Sequence, residues 1–178
     1  MADINQFIRE YFLYKSTFKI TSFDDYNHVY LCNDESQEVI NFDQIISIKY
    51  PDSNKRPKSF DALYIDNADI YCIEFKNQKP SIINNTEIKG KLEDGKSELD
   101  ALFTELNISK DNYNFIYCVC YQNCTEPRDR YKCGVAKGAI QFDLKQYKEK
   151  GIVKEVYTNH VDFFTKQFQK KTSKNLRC

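Results

Sequence analysis

Ser59-Phe60-Asp61-Ala62-Leu63-Tyr64-Ile65-Asp66-Asn67-Ala68-Asp69-Ile70-Tyr71-Cys72-Ile73-Glu74-Phe75-Lys76 is the stretch from which the rest of the chain can be read. Two runs rich in β-branched and aromatic residues, 60–65 and 70–76, flank Asp66-Asn67-Ala68-Asp69, whose residues suit a tight connection; the pattern predicts an antiparallel hairpin. Strand alternation then puts Ile70, Cys72, Glu74 and Lys76 on one face and Tyr71, Ile73 and Phe75 on the other. Glu74 and Lys76 stand side by side at the end of an apolar strand. Charges are costly there unless they serve each other or a ligand. In an antiparallel hairpin the start of one strand lies beside the end of the next, so Asp61 is expected to approach Glu74.

Downstream, Ile88, Leu92, Leu99, Leu102, Phe103 and Leu106 fall at helical spacing, predicting a helix over 84–106 with Thr86 as its N-cap and Gly90 and Gly95 as weak points. Residues 114–121 form a nearly unbroken apolar run of strand length, as expected of a strand buried on both faces. A weaker strand at 138–142, a helix at 143–150, a strand at 152–157 and a helix at 160–170 complete that half. Upstream, residues 51–57 contain two prolines with Asp, Ser and Asn and read as a loop. Residues 36–49 fit neither period cleanly and leave helix and strand both open. Residues 17–21 and 28–32 lean to strand on either side of a turn at 22–27. Residues 4–15 carry an apolar stripe (Ile4, Phe7, Ile8, Tyr11, Tyr14) and predict an amphipathic helix near Asp3. These elements imply an α/β fold with a central mixed β-sheet flanked by helices.

A chain of 178 residues with 41% hydrophobic and 29% charged residues is expected to form one domain over 1–178 with an ordinary core. The 26 basic and 26 acidic residues cancel, so an anionic partner must be met by a local patch. The first residues lack the basic and apolar regions of a signal peptide, and no long apolar run suggests a membrane span. Seven cysteines at irregular spacing, with Cys72 inside an apolar run, argue against a disulfide framework. The expectation is an intracellular, reducing compartment, cytoplasmic or nuclear. No phosphate-binding loop, dinucleotide fingerprint or His-Glu-x-x-His occurs, which leaves nucleotide hydrolase, dinucleotide-binding and zinc-protease readings without support.

Two carboxylates held close suit Mg²⁺ or Mn²⁺, which clamps a phosphodiester and lowers the pKa of an attacking water; a neighbouring lysine orients that water or offsets developing charge. The residues Ser59-Phe60-Asp61-Ala62-Leu63, a short turn, and Ile73-Glu74-Phe75-Lys76, followed by a helix and the apolar strand at 114–121, resemble the signature of the PD-(D/E)xK nuclease superfamily, over roughly residues 36–121. The resemblance implies a restriction-endonuclease-like core and a metal-dependent nuclease acting on DNA or RNA. It assigns the metal to Asp61, Glu74 and the backbone carbonyl of Phe75, and the water to Lys76. Asp52, in the literal Pro51-Asp52, is the runner-up for the first acid but lies in a loop. Glu10, Glu38 and Asp43 are candidates for a further acid, and Gln78 for an additional group on the same face.

Lys55, Arg56 and Lys58 before Asp61, with Lys79, Lys89, Lys91 and Lys96 after Lys76, are candidates for a basic rim that meets nucleic-acid phosphates. The tail over 166–178 adds five basic residues and reads as a candidate docking arm. Arg128, Arg130 and Lys132 are weaker candidates. Cys118, Cys120, Cys124 and Cys133 have a spacing that allows zinc, though burial of the first two in a strand is the simpler reading. His28 and His160 lie in no motif and read as structural or exposed. Cutting both strands of a duplex with one site per chain favours a homodimer. The competing class is a noncatalytic protein-interaction module, an immunity, inhibitor or assembly protein, whose charged hairpin meets a partner protein.

Overall fold

The computed structural model describes residues 3–123 and 139–178. The predicted hairpin is present: β5 (Ala62–Asp66) and β6 (Asp69–Lys76) pair antiparallel, with Ala62 opposite Ile73 and Asp66 opposite Asp69. Asn67 takes the turn at φ 55°, a left-handed conformation that Asn tolerates better than most residues. Helix α4 (Asn85–Glu105) follows, and β7 (Asn114–Tyr121) returns parallel to β6, Glu74 lying opposite Val119. A parallel pair needs such a crossover, and the helix supplies it.

Around this core the six-stranded mixed sheet runs β1-β4-β5-β6-β7-β8, with β1 (Lys15–Thr17), β4 (Glu38–Asn41) and β8 (Glu155–His160). The pairs β1/β4 and β4/β5 are antiparallel and β7/β8 is parallel. Alternation along β6 and β7 divides the interior into two layers. On one face Ile70, Cys72, Tyr117 and Val119 pack with α1 (Ile4–Glu10), α3 (Phe42–Lys49), α4 and the short α5 (Lys145–Glu149) through Phe7, Phe42, Ile46, Leu92, Leu99 and Tyr147. On the other, Tyr71, Ile73, Phe75, Cys118 and Cys120 meet Phe18 of α2 (Phe18–Thr21) and Phe164 and Phe168 of α6 (Val161–Thr172).

Several boundaries differ from the sequence reading, each for a local reason. Residues 36–49 are strand and helix joined without a linker: Asn41 ends β4 and caps α3, its Oδ1 accepting from Gln44 N at 3.0 Å, so no single period fits. Residues 18–21 are helical instead of extended because Thr17 caps them and Phe18 is driven fully inside. The small hairpin there is β2 (Phe23–Asp24) with β3 (Val29–Tyr30), closed by Asp24 Oδ1 accepting from Tyr26 N and Asn27 N. The first helix stops at Glu10 and continues as a 3₁₀ turn, Phe12–Tyr14. The cap of α4 is Asn84, not Thr86; its Oδ1 accepts from Thr86 N and Glu87 N. Residues 139–142 are not a strand but hang on β8 through Thr158, whose Oγ1 accepts from Gln141 N at 2.9 Å; Gly138 lies outside the described residues. β8 itself starts three residues later than expected, in register with Ile116–Tyr121.

The cysteines depart from expectation in one respect. Cys32 and Cys178 form a disulfide that joins the C-terminus to the segment before β4. Leu176 is buried beside it, and Arg177 N donates to Asp34 Oδ2 at 2.8 Å. The tail is therefore a helix followed by a tethered return, not a free arm. The bridge also removes cysteine usage as an argument for a reducing compartment. No helix among the described residues is long and apolar enough to cross a membrane.

Candidate functional site

The hairpin register delivers the first part of the site. Asp61 precedes β5 and extends its ladder: its N–H donates to Ile73 O at 3.0 Å, and its Oδ2 accepts from Phe75 N at 2.6 Å. That second bond uses a side chain where the strand's backbone has run out, and it fixes the carboxylate beside the end of β6. Glu74 lies on the face turned toward α4 and is completely buried. Lys76, one residue pair further along the same face, brings its Nζ to 3.0 Å from Glu74 Oε1. Asp61, Glu74 and Lys76 thus converge as expected.

Helix α4 completes the cluster with two residues that the sequence reading did not place there. Lys91, counted among the rim lysines, sits at the centre: its Nζ is 3.2 Å from Asp61 Oδ1 and 2.8 Å from each Glu74 oxygen. Glu87, one turn earlier, binds the Lys76 ammonium at 2.6 Å. The available signal was spacing: a helix capped at Asn84 puts Glu87 in its first turn and Lys91 four residues on, along one face. Gly95 lets this helix approach closely, since a Cβ there would stand 2.9 Å from Phe60 Cε1.

Three carboxylates and two ammoniums leave one negative charge in a largely dry pocket. Burial pushes the Glu74 carboxyl up to about 7, the nearby Asp61 carboxylate adds to the rise, and Lys91 and Lys76 oppose it. Burial is the largest effect and works to lower both lysines, but the carboxylates around them together outweigh it, Glu74 and Glu87 for Lys76 and Glu74 and Asp61 for Lys91, and hold each above its ordinary value. For Glu87 burial is the largest effect and raises the carboxyl, and the bond and charge of Lys76 together with the charges of Lys91 and Lys58 overcome this and lower it. Tyr117, buried under the cluster, is raised by burial and donates to Ile88 O at 3.2 Å. Glu74 Oε1 accepts no well-formed hydrogen bond although ammonium nitrogens stand beside it. The oxygen is thus neutralised by two ion pairs without a well-aligned hydrogen bond, an uncommon state for a fully buried carboxylate.

The donor set can be weighed against a divalent cation. Among the described residues no group of three or more His, Cys, Asp or Glu side chains is arranged to hold a metal. Two carboxylates, Asp61 and Glu74, nevertheless converge on one point, which the Lys91 ammonium holds, and one of their oxygens lacks a well-formed hydrogen bond. Mg²⁺ is commonly held by one or two carboxylates while water and phosphate oxygens fill its remaining positions. The residues fit that pattern.

The other candidates separate clearly. Asp52 pairs with Lys55 at 3.7 Å, Glu38 with Lys15 at 2.7 Å, and Asp43 accepts from Ser59 Oγ at 2.5 Å; each is engaged elsewhere, and Glu10 lies at the end of α1. Gln78 lies beyond β6, where its carbonyl accepts from Gln122 N. On the basic rim, the Lys58 side chain lies along α4 at Gly90, and Arg56 Nε donates to Tyr50 O at 2.9 Å. Lys79 follows β6, and Lys89 pairs with Asp143 at 2.9 Å. Lys96 does not suit a phosphate: it is buried, paired with Asp100 at 2.5 Å and stacked 4.0 Å from the Phe115 ring centre. Cys118 and Cys120 are core residues whose thiols burial raises well above the usual range. Cys124, Cys133, Arg128, Arg130 and Lys132 lie outside the described residues. His28 occupies the β2–β3 turn, and His160 Nδ1 is 3.1 Å from Asn123 Oδ1. A scan against protein-family models, a search of curated proteins and a search of solved structures return no match for this chain.

Proposed function

We propose that the chain is a divalent-metal-dependent nuclease of the PD-(D/E)xK type, hydrolysing nucleic-acid phosphodiester bonds with Mg²⁺ or Mn²⁺. The observation that carries this reading is the convergence of Asp61 and the buried Glu74 at the end of β6, with one Glu74 oxygen lacking a hydrogen bond and Lys76 alongside. The strand–strand–helix–strand order around them agrees with the resemblance seen in the sequence. Asp61, Glu74 and the Phe75 carbonyl would hold the cation, which supplies charge for the scissile phosphate and a more acidic water. Lys76 sits at the pocket mouth, its side chain 16% exposed and its ammonium fixed by Glu74 and Glu87, where it orients the attacking water. Lys58 and Arg56, with Lys55 on the loop ahead of Asp61, meet the backbone phosphates. The low dielectric around Glu74 strengthens each of these interactions.

A second reading, a noncatalytic module that binds a partner protein, is favoured by one observation: Lys91 already pairs with both acids. One experiment separates the two. Plasmid DNA and single-stranded RNA are incubated with wild type, Asp61→Asn and Glu74→Gln in Mn²⁺, Mg²⁺ or EDTA. The nuclease reading expects cleavage by wild type in metal only, lowered at least a hundredfold in each variant. Absence of metal-dependent cleavage of both nucleic acids refutes it and leaves the interaction module.

A further inference from the structure

The cation position between the two acids is filled by the chain's own side chain. Lys91 Nζ is within 3.2 Å of Asp61 and 2.8 Å of Glu74, the place a metal bridging the two carboxylates would take, and an ammonium and a dication cannot share it. The arrangement has a physical use. Without a cation, two carboxylates this close in a buried pocket would repel or take up a proton. Lys91 keeps the pair together, so the acids are already placed before any metal arrives.

Lys91 also has somewhere to go. Its side chain is 18% exposed, so it is not sealed in, and four residues earlier on the same helical face stands Glu87, whose side chain is 41% exposed. Glu87 already holds Lys76 at 2.6 Å and has a second oxygen to offer. The unsatisfied Glu74 Oε1 fits the same view, since Lys91 neutralises that carboxylate without completing its hydrogen bonds.

Building on the nuclease reading, we propose that Lys91 is a displaceable internal counter-ion of the Asp61–Glu74 pair, moved by an incoming divalent cation to Glu87. Cation affinity is then the difference between two states of one side chain: the dication gains what it makes with the acids minus what Lys91 loses on leaving. Removing the Lys91 charge must tighten metal binding. Removing the Glu87 charge, which leaves the displaced ammonium without its receiver, must weaken it.

The test is calorimetric titration of Mn²⁺ alone, without nucleic acid, into the full chain as wild type, Lys91→Met and Glu87→Gln, with thermal melts of each in EDTA and in Mn²⁺. Lys91→Met is expected to bind Mn²⁺ at least tenfold tighter than wild type, to melt lower in EDTA, and to gain more in Tm from Mn²⁺. Glu87→Gln is expected to bind several-fold more weakly. Equal affinities for wild type and Lys91→Met, within twofold, overturn the counter-ion role while leaving the two-acid metal site standing. If Lys91→Met does not fold, Glu87→Gln decides alone, and an unchanged affinity overturns the proposal. No Mn²⁺ binding by any folded variant overturns both the counter-ion and the metal-dependent nuclease.

Discussion

Glu74→Gln should alter how stability depends on pH, and the direction follows from burial. The carboxyl is fully enclosed and pushed from the ordinary 4.5 up to about 7, with burial as the main cause and Asp61 as the second. A group whose folded value is raised binds its proton more tightly in the native state. Its contribution is complete below the unfolded value and is lost as pH rises through the folded one. Each tenfold gain in proton affinity is worth about 1.4 kcal/mol, so wild type should lose about 2–3 kcal/mol from Glu74 between about pH 5 and pH 8. Three neighbours titrate outside this window: Glu87 is lowered, so its contribution fades only in more acidic solution, and Lys76 and Lys91 are raised, so theirs fade only in more alkaline solution. Glutamine keeps the shape and an oxygen acceptor, while Lys91 retains Asp61 and Lys76 retains Glu87. Urea unfolding of both proteins across that range provides the measurement. The wild-type curve should fall relative to that of the variant as pH rises, and parallel curves would mean that Glu74 is not desolvated as described.

Three further expectations rest on the packing. Gly95→Ala places a methyl 2.9–3.1 Å from three atoms of the Phe60 ring, which is fully buried and held between Phe42 and Tyr117, so it should cost about 1–3 kcal/mol despite the better helix former. Gly90→Ala meets only the flexible end of Lys58 and should be neutral or stabilising by up to about 1 kcal/mol; urea midpoints that rank the two substitutions the other way refute the packing of α4. Cys178→Ser opens a bridge spanning 146 residues and should lower stability by about 3–5 kcal/mol under oxidising conditions, with no effect once wild type is reduced; thiol titration of the unfolded chain checks that the bridge forms.

The hairpin was legible because its physics is local. Period-2 alternation assigns faces, and a tight turn sets the register, so Asp61 could be placed beside Glu74 from the sequence alone. The long helix and the apolar strand after it were equally readable, the helix from its helical spacing of apolar residues and the strand from a nearly unbroken apolar run of strand length. Residues 36–49 were not, because Asn41 is at once the end of a strand and the cap of a helix, and a window across it averages two periods. In the site, the sequence supplied the acids and Lys76 but ranked Lys91 and Lys96 together as surface lysines. Only the packing of α4 across the sheet separates them: Lys91 faces the carboxylates, and Lys96, five residues on, lies against Phe115 and Asp100.

Glu87 could not be recognised as part of the cluster until α4 was placed over the end of β6, because its partner Lys76 belongs to another element. The same holds for Cys32 and Cys178, 146 residues apart in the chain, which no spacing relates. Backbone geometry repeats every few residues and leaves a periodic mark that can be read off the chain. Contacts between elements depend on the angle and depth at which one layer sits on another, and those follow from the whole core. That is why the two acids were visible in the sequence, whereas the lysine that holds them together emerged only from the folded structure.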